Sequence, residues 1–280
     1  MAKIWHIAVN TFREASRDRV LYVIAFFAGL MMLASTALGW ISAADQAQVV
    51  THFSLAATSF FSTLIAVFVG TNLIHKEIEK RTIYTILSKP VARWQFVVGK
   101  FVGLLLVMFC IVLGIGAVAC IFLRFAGGQI TAIYIHALAL IFGEAIVVTA
   151  LAIFFGSLAS PILAAIFTFS AYLVGQVTPV LLDLVAYEPV ADARALAELD
   201  SLSRFASQAH SFLKPLGLLL YHILPNLTHF QLRNRAVYGP PLRHGAYFID
   251  GECGQAVIYA ICYAAALLVV SIWFFERKKV

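Results

Sequence analysis

The chain has 280 residues, 62% of them apolar and only 12% charged, against roughly 45–50% and about 25% in a soluble domain. Apolar surface in that excess cannot be hidden in one core, which excludes an ordinary soluble enzyme and requires that lipid face much of the chain. The net charge of +6 would raise nucleic acid in a soluble protein, but here the basic residues lie beside hydrophobic runs. Anionic headgroups account for them, and no nucleic-acid partner is expected.

Residues 1–19 come first and read as an amphipathic helix. Ile4, Trp5, Ala8, Phe12, Ala15 and Ser16 recur at spacings of three and four, while Lys3, Arg13 and Arg17 lie off that stripe. The pattern suits an interfacial anchor built on Trp5, Phe12, Arg13 and Arg17; the alternative is a solvated helical tail. The segment is too long and too acidic for a signal n-region, so the first span is expected to remain as a helix.

Residues 20–41 are uncharged, and at about 1.5 Å per residue they reach about 33 Å, enough for a ~30 Å hydrocarbon layer. Residues 53–74, 101–123, 158–182 and 255–275 are uncharged too, and 130–155 is apolar except for His136 and Glu144. The expected fold is therefore an all-α polytopic membrane protein with six transmembrane helices. Spans one to five and their loops occupy 20–182, span six follows at 255–275, and residues 276–280 form a tail. With both termini inside, thirteen of the twenty Lys and Arg residues fall on the inner side, so an N-in, C-in orientation in a bacterial inner membrane is expected.

The long outer segment, 183–254, has near-balanced charge. Ala195, Leu199, Leu202, Ala206, Ala209 and Leu213 form a seam along one helix face, free to pack on the protein's own helices, on a second copy or on an extracytoplasmic protein. The apolar stretch 216–224 between Pro215 and Pro225 has only about ten residues and cannot cross a bilayer, so it is expected to be re-entrant or interfacial. His210, His222, His229 and His244 are spaced by twelve, seven and fifteen residues with no Met or Cys cluster, which matches no compact ligand set; no metal site is expected. Nor do Cys110, Cys120, Cys253 and Cys262 form a CxxC pair.

The inner loop between spans two and three, residues 75–100, is the most informative part. Glu77 and Arg81 are four apart in the favourable order for a helix pair, and Ile78, Ile83, Tyr84, Ile86 and Leu87 extend that helix. Ser88, Lys89 and Pro90 must end it, because proline pushes the preceding residue out of the helical region. A second helix starts near Val91 and runs through Trp94 into span three. The spacing fits a short rigid helix able to dock a soluble partner, and equally an ordinary positive-inside loop.

An acidic residue, Arg-Thr, a hydrophobic pair, Leu-Ser-x-Pro-Val-x-Arg and a later Gly-Lys, here Glu77, Arg81, Thr82, Ile86, Leu87, Ser88, Pro90, Val91, Arg93, Gly99 and Lys100, resemble the ABC-2 type exporter permeases. The run 156–160 between spans four and five is similar too. The resemblance is nearest to the permeases associated with multicopper-enzyme and nitrous-oxide reductase maturation. It implies that the loop is a coupling helix seated in a separate ATPase, with Glu77, Arg81, Thr82 and Leu87 at the contact, Pro90 setting the bend, and Tyr84, Ser88 and Arg93 completing the segment. It further implies a dimer of this chain with two ATPase subunits that supply ATP and Mg. The family's outer segment is usually shorter than 183–254, which favours an extracytoplasmic partner or an outer gate.

No G-x-x-x-x-G-K-[ST] run occurs, and Gly99-Lys100 lacks the first glycine and the Ser/Thr; the chain is expected to be non-catalytic, with no cofactor of its own. Glu144, near the middle of span four, is the clearest intramembrane polar residue, with Gln176 and Thr178 of span five as candidate partners by depth. Its roles are a structural hydrogen bond, or substrate or proton handling. Two other classes compete with this reading. An ion-coupled secondary transporter using Glu144 would call for an inverted repeat, which the two halves do not display. An intramembrane serine enzyme built on Ser157 would need a histidine at the same depth.

Overall fold

A computed structural model describes residues 2–41, 46–79, 92–177, 224–230 and 249–277. Every regular element among them is helical: α1 (Ala2–Ala15), α2 (Arg19–Ile41), α3 (Gln46–Glu79), α4 (Arg93–Phe125), α5 (Ala132–Leu158), α6 (Pro161–Gln176), a 3-10 turn (Leu227–Phe230) and α7 (Ile249–Arg277). Five of them, α2, α3, α4, α5 and α7, are long and apolar enough to cross a membrane, while α6 is a shorter apolar helix of 16 residues. The described residues are those of a polytopic membrane protein and are all-helical in their regular structure.

The helices run past the apolar runs that predict them. α3 begins at Gln46 and continues to Glu79, and α4 begins at Arg93, because backbone hydrogen bonding continues wherever charged ends can reach water. The expected boundary of span five, residue 158, is corrected. Leu158 closes α5, Ala159 is extended at φ −120° and ψ 171°, and α6 starts at Pro161, whose fixed φ suits a first helical position. The Ser160 carbonyl accepts from Ala164 N at 2.8 Å. Only Ala159 and Ser160 form the turn, so Gly156 and Ser157 are helical rather than part of it.

Local chemistry sets the other ends. Asp18 Oδ1 accepts from Val20 N at 3.0 Å, and Tyr22 Oη donates to the Ser16 carbonyl at 2.7 Å, which fixes the elbow between α1 and α2. α4 ends on Gly127 at φ +77°, with Gly128 N bonded to Leu123 O and Gly127 N to Arg124 O. That left-handed position favours glycine and satisfies the last carbonyls of the helix.

The chain divides into two compact units, Met1–Phe169 with His229–Val280, and Ser170–Thr228. In the first, α3 and α5 form the centre: 72% and 67% of their spanning windows are buried, against 17% for α2 and for α7, which carry the outward apolar surface. α3 and α5 run side by side in the same direction. Ser54 meets Tyr134, Ser59 meets Glu144, and Gly70 lies so close to Ala152 that an added Cβ would come within 2.8 Å. α4 runs opposite to both, its start at Lys100 against Leu73 of α3 and Gly116 against Leu138 of α5. α7 is parallel to α5, since the Tyr259 ring lies tilted beside Phe230, which covers Gly143, while Phe274 and Ser271 meet Phe154 and Ser157. In the second unit, Gly175 of α6 packs against the Pro225 carbonyl and Leu227.

Candidate functional site

α3 ends at Glu79 and α4 begins at Arg93, on either side of residues 80–91, and α1 packs closely on α4 near this end. α1 lies on Gly99 and Gly103 of α4. A Cβ at Gly99 would sit 2.8 Å from the Ile7 side chain, and one at Gly103 would sit 2.6 Å from the Ala8 carbonyl and from Thr11 Cβ. Glycines four apart let two helix backbones approach in this way.

The buried face of α1 therefore differs from the expected stripe. Ala8, Thr11 and Ala15 are buried, with Ile4, Ile7 and Phe12 at the margin, while Trp5, Arg13 and Arg17 are exposed. Thr11, which the stripe omits, is selected because its small side chain fits beside Gly103. Trp5 and the two arginines keep the free surface that an interfacial anchor requires.

Lys100 sits in the middle of this cluster and is 2% exposed. Its Nζ donates to the Leu73 carbonyl at 3.3 Å, lies 3.9 Å from Glu14 Oε2 and is 5.6 Å from the Phe96 ring centre. At the start of α4, Ala92 is extended and its amide donates to Gln95 Oε1 at 3.3 Å.

The expected coupling residues divide in two. Glu77 lies in the last turns of α3, continuous with the span rather than on a separate helix, and Arg93 is the first residue of α4. Arg81, Thr82, Tyr84, Leu87, Ser88 and Pro90 lie outside the described residues, as do Thr178, His210, His222, His244 and the 195–213 seam. Gln176 is the last residue of α6.

Glu144 is 3% exposed at the middle of α5. Ser59 Oγ of α3 donates to its Oε2 at 2.9 Å, a partner that depth along span five could not suggest. Ser54 Oγ and Tyr134 Oη share a bond of 3.1 Å nearby in sequence, which makes the α3–α5 contact a polar seam inside apolar helices. Ser62 and Thr149 bury hydroxyls that make no hydrogen bond among the described residues.

A cleft of about 430 Å³ opens between α3 and α6, with Phe68, Thr71 and Asn72 on one side and Pro161, Ile162 and Ile166 on the other. Its walls are almost wholly apolar, and nothing in the linear sequence signals it, because its two sides lie about ninety residues apart.

Ser157 lies at the α5 end that meets α7. Its hydroxyl donates to the Phe154 carbonyl at 2.7 Å and accepts from Ser271 at 3.4 Å. His136, on the same helix, is 21 residues away, about 30 Å at the helical rise.

Five long apolar helices with exposed apolar flanks, two of them central and joined by a polar seam, define a multi-pass membrane protein. A family model for ABC-2 family transporter proteins matches residues 5–280, and the chain belongs to that family. It is similar to the probable ABC transporter permease protein NosY of Stutzerimonas stutzeri, 30% identical over 127 residues. That match covers 42% of this chain and 45% of the relative, so under half of the relative's length is spanned. The chain is thus an ABC-2 type permease.

Proposed function

We propose that this permease couples ATP hydrolysis on a separate ATPase subunit to movement of cargo outward across a bacterial inner membrane, or to work on an extracytoplasmic partner through residues 183–254. The ATPase docks on the loop from Glu77 to Arg93, and ATP and Mg stay in that partner. Two permeases pair with two ATPases, and both termini face the cytoplasm. The observation that carries the reading is the continuity of α3 and α4 into the loop, with their loop-side ends joined through Lys100. A load on a loop held at both ends by rigid helices is delivered into the central helix of the bundle rather than dissipated.

The parallel course of α5 and α7 supports six spans. If both cross the layer, the chain between them must cross it an odd number of times, and α6 is the described part of that crossing. The α3–α6 cleft is the described surface best shaped to receive an apolar group, next to the helix that the loop would drive.

Co-purification tests the docking. Wild-type chain should retain its P-loop ATPase in mild detergent, whereas Glu77→Arg and Arg81→Glu should each lose most of it, because reversing a charge at a packed interface leaves like charges facing. Equal recovery with all three would remove the loop from the contact.

A further inference from the structure

Lysine is almost never fully buried unless its ammonium is paired, and near the end of a membrane helix it ordinarily extends its stem to reach water. Lys100 does the opposite. It lies near the start of α4, yet its ammonium turns into the packing among α1, α3 and α4. α1 packs closely on α4 but scarcely touches α3 directly. Of the described side chains at that end, Lys100 reaches both, with Glu14 of α1 on one side and the Leu73 carbonyl of α3 on the other. In a helix that continues to Glu79, the Leu73 carbonyl is also the acceptor for the amide of Glu77. Lys100 therefore bonds to the turn that leads into the loop.

We propose that Lys100 is a positioning residue that ties α1 to the loop-side turn of α3, so that α1, that turn and the foot of α4 move as one body. α1 is then part of the moving machinery as well as an anchor in the interface. The structural half of this inference stands on the Lys100 contacts alone; its functional half rests on the loop being the ATPase dock.

Distances between spin labels test both halves. The full chain, with its native cysteines replaced by serine, is labelled in lipid nanodiscs at exposed Asn10 of α1 and Phe68 of α3. A reference pair, Phe60 of α3 and Leu113 of α4, reports whether the bundle is intact. Lys100→Met should broaden the Asn10–Phe68 distribution at least about twofold by releasing α1 locally, with the reference pair unchanged. Glu14→Gln, at a partly exposed position, should broaden it less.

An unchanged Asn10–Phe68 width in Lys100→Met with an intact reference would overturn the proposal. Should Lys100→Met disturb the reference pair, an unchanged width in Glu14→Gln would overturn it instead. In the complex with the ATPase, trapping with ATP and vanadate should leave the wild-type Asn10–Phe68 distance constant and change it in Lys100→Met. A changing wild-type distance would contradict the single moving body. If no ATPase binds wild type at all, the docking reading fails while the width measurement on the isolated chain still decides the role of Lys100.

Discussion

A single hydroxyl shows how much rests on individual residues inside the bundle. Ser59 donates to Glu144 in a buried seam, and removing the donor leaves a carboxyl group short of a hydrogen bond where water does not reach. Ser59→Ala should therefore destabilise the protein by about 1–3 kcal/mol. Combining it with Glu144→Leu should cost less than the sum of the two single losses, because the Ser59–Glu144 bond is then lost only once. Thermal unfolding in one detergent checks this, and additive losses would show that the two side chains do not depend on each other. Glu144 is legible in the sequence as a lone acid in an apolar run. Its partner is not, since Ser59 lies 85 positions away among many hydroxyls that bond only to their own helix. Lys100 was hidden for a related reason: a basic residue near a span end reads as headgroup-facing, and only the approach of Glu14 and Leu73 shows it turned inward.

Among the elements, α1 is the one whose role the structure alters most. The helix stops at Ala15, short of the expected residue 19, and its buried face is rotated toward Ile7 and Thr11 because the partner surface is the pair Gly99 and Gly103, which periodicity within α1 cannot reveal. Gly103→Ala places a methyl against the Ala8 backbone carbonyl, an atom that cannot move without moving the helix. α1 should then lift from α4, and trypsin should cut after Arg13 and Arg17 several-fold faster in nanodiscs, as expected when a locally stabilised element is released. Cleavage at the wild-type rate would mean that the close approach at Gly103 does not hold α1. The long spans were readable because continuous apolar runs of that length have few other uses. Their ends were not, because helix continues into polar sequence as far as Gln46 and Glu79, and the break before α6 is set by Pro161 rather than by hydropathy.

For the whole molecule, membrane class and family were both legible: the first in composition, the second in the motif from Glu77 to Lys100, which the match to ABC-2 family transporter proteins bears out. The α3–α6 cleft and the polar α3–α5 seam could not be read from the sequence, because each is made by helices that meet only after folding. The account as a whole depends on force entering at the 80–91 loop. Photo-crosslinking from a benzoylphenylalanine placed at Tyr84 or Leu87, in membranes that contain the assembled transporter, tests it most directly. The account predicts a covalent adduct with a P-loop ATPase from both positions and none from the same probe at Phe125, at the far end of α4; adducts that form from Phe125 but from neither loop position would contradict it.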